Sequence, residues 1–230
     1  MTKRSGKPWR IVAIVFMGMT AAMNILGGIG TVCAAFLTKN FPPMYSFYDY
    51  RYLYQGLMIA TIIVGIAGVW ATIRLVKGGP KAYRNALIIL LVGTALGATQ
   101  YFASMAIRGK GIPANVKFYT NALTLVLFLI LALPSLRKLV DFSSPMERGE
   151  KTAASGLTAF IAGMITLTVY AWVGPSHTFQ GANWVDVLKT PLIGGGLLLT
   201  IAGFSAMLWP ALAYLRKQRL INDSEALTSR

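Results

Sequence analysis

Charge is scarce in this chain, and acid is scarcer still. Only 13% of the 230 residues are charged, against roughly 25% in a soluble globular domain. With half the usual charged surface missing, neither an ordinary soluble fold nor a disordered tail fits the composition. Seven carboxylates, one histidine and one cysteine leave little material for catalysis. The lone Cys33 excludes an internal disulfide and a CxxC redox pair. It lies in an apolar run, where a structural thiol is expected. The lone His177 excludes paired-histidine haem ligation within the chain, and a zinc site with three protein ligands lacks the residues to build it. No cofactor and no metal is therefore expected, and the residues argue against an enzyme. Nucleotide motifs are missing as well. Gly28-Ile29-Gly30 lacks its third glycine, and Gly78-Gly79-Pro80-Lys81 has the wrong spacing for a phosphate loop.

What the chain has is apolar length. Hydrophobic residues make up 55%, and the mean hydropathy is +0.58. A spanning helix needs about 20 mainly apolar residues, and six segments qualify: 10–37, 52–76, 82–107, 118–136, 156–173 and 191–215. Breakers separate them at Pro42-Pro43, Gly78 to Pro80, Gly109 to Pro113, Ser143 to Pro145 and Gly174-Pro175. The fifth segment is the shortest. The first apolar stretch, from residue 11 to residue 37, is too long for the core of a cleaved signal, and the residues before Cys33 make no lipoprotein processing site. The expected fold is an all-α integral membrane protein, a six-helix bundle forming one polytopic domain over residues 1–230. In a prokaryote its place would be the cell membrane.

The net charge is +15. The bases fall in small clusters between apolar runs, which suits anionic headgroups of a bilayer and not nucleic acid. With the N-terminus inside, Lys3, Arg4, Lys7, Arg10, Arg74, Lys77, Lys81, Arg84, Arg137, Lys138, Arg148, Lys151, Arg216, Lys217, Arg219 and Arg230 share one side. Lys39, Arg51, Arg108, Lys110, Lys117 and Lys189 share the other. The excess predicts both termini in the cytoplasm. On the outer side, Phe41, Tyr45, Phe47, Tyr48, Tyr50, Tyr52 and Tyr54 read as an interfacial aromatic belt. Trp184, Val187 and Leu188 suggest a short interfacial helix. The Leu-Arg-Lys endings at 136–138 and 215–217 hint at a hairpin repeat, which positive-inside sorting alone explains.

Lipid supplies no hydrophobic drive for helix association, so small residues and buried amides carry the packing. Gly27 and Gly28 on the first helix, Gly93 and Gly97 on the third, and Gly196 and Gly203 on the sixth are the expected contact glycines. Helices one, three and six then form the centre, and the Leu-rich fourth helix faces lipid. No ionisable residue is expected in the middle of a span, which argues against proton relays and ion-coupled transport. Asn24, Gln55, Gln100 and Asn121 remain as interhelix hydrogen-bonding groups or as the lining of a pathway. Asp49 and Asp186, the only outer acids, would frame a small polar site with Arg51, Arg108 and His177, or would serve only local ion pairing. The leading expectation is a non-catalytic multi-pass membrane subunit, packed against other membrane chains or against itself within a larger complex. The alternative is a channel or carrier for a neutral or amphipathic small molecule. An enzyme acting on lipids is least supported.

Overall fold

The structure is a computed structural model that describes residues 6–40, 42–174, 178–179, 181–183 and 185–228. It is mostly helical, with six helices long and apolar enough to cross a membrane. His177, Trp184, Phe41, Lys3, Arg4 and Arg230 lie outside the described residues. The chain divides into two compact units, Met1–Met146 and Glu147–Arg230.

The first unit holds four long helices: α1 (Lys7–Gly30), α3 (Arg51–Lys77), α4 (Ala82–Arg108) and α5 (Ala114–Leu131). A short α2 (Val32–Phe36) and a 3-10 helix (Pro42–Tyr50) lead from α1 into α3. The long helices form a closed ring in which α1 packs on α3, α3 on α4, α4 on α5 and α5 on α1. Small residues set the α1–α3 seam. A Cβ on Gly65 would lie 2.9 Å from the Ile25 backbone nitrogen, and one on Gly68 would lie 2.8 Å from the Ala21 Cβ. Gly28 likewise leaves room for Ile62. At the N-terminal end of α1, Arg10 donates to the carbonyls of Leu75 (3.3 Å) and Ser144. Tyr83 donates to the Phe128 carbonyl and packs its ring against Phe128 and Phe142.

The fourth span begins and ends earlier than the sequence suggests. It runs from Ala114 to Leu131, not over 118–136, because Pro134 opens a separate short helix, α6 (Pro134–Arg137). The residue before a proline is driven out of the helical region, and Leu133 sits at ψ 138°. Nor is this helix given over to lipid. Lys117, Asn121, Thr124, Phe128 and Leu131 are buried against the ring, and only the opposite face, with Leu123, Val126, Leu129 and Ile130, is exposed.

The second unit is a helical hairpin of α7 (Arg148–Val173) and α8 (Lys189–Thr228). The fifth span is longer than expected because a capping box starts it early. The Glu147 backbone N–H donates to the Glu150 carboxylate at 2.8 Å, and the Glu147 side chain accepts in return from the third helical residue, so two orphan donors are satisfied. The fourth span is therefore the shortest, at 18 residues. A two-residue hairpin pairs Thr178–Phe179 (β1) with Ala182–Asn183 (β2) around Gly181, whose φ of 78° suits glycine. A 3-10 turn, Asp186–Leu188, then runs directly into α8, in place of a separate interfacial helix. Gly156 meets Gly203, and Gly163 meets Gly196, so closely that a Cβ on Gly156 would lie 2.8 Å from the Gly203 carbonyl oxygen. Both pairs are seven residues apart on their helices, the spacing that keeps one seam facing its partner. The sixth helix thus spends Gly196 and Gly203 on the fifth.

Candidate functional site: a polar cluster inside the first unit

All four long helices of the first unit turn polar side chains into its interior. From α1 come Thr20, Asn24 and, at its C-terminal cap, Thr31. Thr61 comes from α3, Gln100 from α4, and Lys117, Asn121 and Thr124 from α5. All eight are buried. On α5 the positions advance by four and then three residues, which puts them on one face.

Several hydrogen bonds cross the ring. The Asn24 and Asn121 amides exchange two hydrogen bonds, Nδ2 of Asn24 to Oδ1 of Asn121 at 3.1 Å and the reverse at 2.8 Å. Asn121 Nδ2 also reaches the Lys117 carbonyl at 2.9 Å. The hydroxyls of Thr20 and Thr124 pair at 2.6 Å. Lys117 Nζ donates to Thr61 Oγ1 at 3.0 Å and to Gln100 Oε1. Gln100 Nε2 donates to Thr31 Oγ1 at 2.9 Å, and Thr31 in turn donates to the Gly27 carbonyl at 2.7 Å.

Glycines make the space for these groups. A Cβ on Gly93 would collide with Asn121 Oδ1, one on Gly97 would lie 3.0 Å from the Phe118 Cα, and one on Gly27 would lie 3.2 Å from the Lys117 Cδ. The Gly93-x-x-x-Gly97 motif and the amide pair are therefore one construction: the motif brings α4 and α5 together where the polar side chains need room.

The structure brings Asn24, Gln100 and Asn121 into this cluster. Gln55 stands apart and donates to the Ala35 carbonyl at 3.1 Å, tying α3 to α2. Lys117 overturns the expectation that it belongs to an outer loop. It is the fourth residue of α5 and only 3% exposed. The signal for it was its spacing of four from Asn121, which places both on one helical face. A span drawn from residue 118 cut that relation.

Comparison with protein-family models, curated proteins and solved structures finds no match.

Of the outer residues expected to frame a polar site, Arg51 and Arg108 belong to the first unit. Arg51 donates to the Tyr48 carbonyl and the Tyr52 hydroxyl, each at 3.1 Å, and lies over both rings. Arg108 donates to the Ile112 carbonyl at 2.6 Å and lies 4.7 Å from the centre of the Phe47 ring. Asp186 and Lys189 belong to the second unit, and His177 is outside the described residues. Among the described residues, no three of His, Cys, Asp and Glu gather to hold a metal ion.

Proposed function

We propose that the chain is a multi-pass membrane subunit that packs within a larger membrane complex, both termini cytoplasmic, and that it performs no chemistry of its own. The carrying observation is an open glycine face on α8. Within the second unit, a Cβ on Gly194 or Gly195 would meet nothing within 4 Å, while nearby Leu198 and Ile201 are 70% and 64% exposed. In lipid, such a face lets another helix approach closely and gain van der Waals contact. The Asn24–Asn121 pair supports the same reading, because each amide is hydrogen-bonded by the other across the helices.

The test is extraction into native lipid particles, followed by identification of co-purifying chains. A stoichiometric partner chain is expected, and Gly194→Leu with Gly195→Leu should release it without lowering the thermal midpoint of the purified protein. A wild-type chain recovered alone at full stability would sink the subunit reading.

A second reading, a carrier for a neutral or amphipathic small molecule, is favoured by the interior cluster around Lys117, since buried ionisable groups in membrane bundles mark ligand and ion paths. Solute flux in proteoliposomes that is lost in Asn24→Leu, with stability retained, would support it.

A further inference from the structure

Lys117 poses a question of charge balance that holds under either reading of the whole protein. An ammonium group carries three N–H donors. Two of them go to Thr61 Oγ1 and Gln100 Oε1, both neutral acceptors, and the third has no acceptor among the described residues. Thr61 also keeps a proton unspent. Thr72, Thr94, Thr158, Thr166 and Thr200 each return their hydroxyl to the carbonyl four residues back, at 2.7–2.8 Å. Thr61 makes no such bond among the described residues and instead turns its oxygen to Lys117.

Two unspent donors thus lie side by side, their heavy atoms 3.0 Å apart, with Thr61 1% exposed and Lys117 3%. Among the described residues, none of the groups found bonded to the lysine or against its stem carries negative charge: Thr61, Gln100 and Asn121 are neutral, and Gly27 has no side chain. Neither acid of the first unit is among these partners. Asp49 is an exposed residue of the 3-10 helix, and Asp141 is bound by Ser143. A buried charge is normally paired, because removal from water is costly and only an opposite charge with good hydrogen bonds offsets it.

We propose that the Lys117 ammonium and the Thr61 hydroxyl bind a small monovalent anion of halide size between α3 and α5. The anion supplies the charge that no carboxylate of the unit provides. It accepts the third lysine N–H and the threonine proton, while Gln100, held by Thr31, keeps the amine in place.

The full chain, purified in detergent, would be heated in sodium bromide and in sodium gluconate at equal ionic strength. Binding to the folded state alone raises the midpoint with the logarithm of ligand concentration above the dissociation constant. A saturable rise in bromide is expected, absent in Lys117→Met, which keeps the apolar stem and removes the charge. Thr61→Val, which keeps the lysine, should need roughly tenfold more bromide for the same rise, the effect of one lost hydrogen bond to a charged group. Bromide anomalous diffraction should place a peak within hydrogen-bond reach of Lys117 Nζ, a readout that holds even if Lys117→Met does not fold. The proposal is overturned by an equal bromide response in Lys117→Met, which would assign the effect to surface bases. It is equally overturned by a wild-type midpoint that follows pH but ignores the anion.

Discussion

Asn24 and Asn121 show how a single polar residue is accommodated among apolar helices. Each amide satisfies the other across the α1–α5 contact, so removing one leaves the other partly unpaired. Asn24→Leu should therefore destabilise the protein by about 0.5–2 kcal/mol. Replacing both amides by leucine should cost less than the sum of the single changes, and a double-mutant cycle on unfolding checks this. At the other end of the unit, Asp141 accepts the Ser143 backbone N–H at 2.8 Å and its hydroxyl at 2.5 Å. These bonds hold its carboxyl down at about 2, below the ordinary 3.8. A carboxyl lowered in the folded state stabilises above its unfolded value and loses that contribution as it is protonated. The loop should therefore weaken as pH falls from about 4 to about 2. Asp141→Asn should be less stable than wild type at neutral pH and indistinguishable from it below about pH 2 in pH-dependent thermal melts. Because Asp141 is partly exposed, the difference should be small.

Helices in this protein meet where glycine allows it, and larger side chains fill the space beside each meeting point. Gly93 and Gly97 admit Asn121 and Phe118 on α5, and Gly156, Gly163, Gly196 and Gly203 form the α7–α8 seam. Gly93→Leu with Gly97→Leu should lower the thermal midpoint sharply, since the new side chains collide with a polar atom and with backbone. Leu123→Ala, on a face that is 58% exposed, should change it little. Similarly, Gly203→Leu should separate α7 from α8, whereas Leu198→Ala should be tolerated. Loss of helical circular dichroism on heating would measure both pairs, and equal tolerance within either pair would contradict the seam. The glycines on α1, α4 and α8 were legible as contact residues because each lies in a stretch dense in small residues. Their partners Gly65, Gly68, Gly156 and Gly163 were not, because a single glycine in an apolar run does not show which helix lies opposite.

For the whole molecule, the distribution of bases carries the prediction. Every cluster assigned to the inside contributes four Lys or Arg residues, from which the positive-inside rule predicts that both termini are cytoplasmic. A reporter fused after Arg230 should score cytoplasmic, and one inserted after Lys110 should score external. A C-terminal reporter that scored external would mean an odd number of crossings. The six apolar helices fall into a four-helix unit and a two-helix unit. That division was not legible in the sequence, where six runs of similar length and composition read as one bundle.

Apolar length, breakers and base clusters are local properties, and from them alone follow the number of long helices, the turns between them and the expectation of a membrane. Asn24, Gln100 and Asn121 were also legible as polar intrusions that need partners, because amides are costly in an apolar medium wherever they point. Which group meets which was decided only by tertiary structure. The ring of α1, α3, α4 and α5 pairs Asn24 with Asn121. It also carries Lys117 from an apparent loop into the interior, because a helix beginning at Ala114 turns that lysine onto the same face as Asn121. A base count treats Lys117 as one more outer charge, whereas helix packing makes it a buried amine held by Thr61 and Gln100. The physical reason is that hydropathy sums over a segment, while burial depends on the face each residue occupies and on the small residues opposite that leave it room.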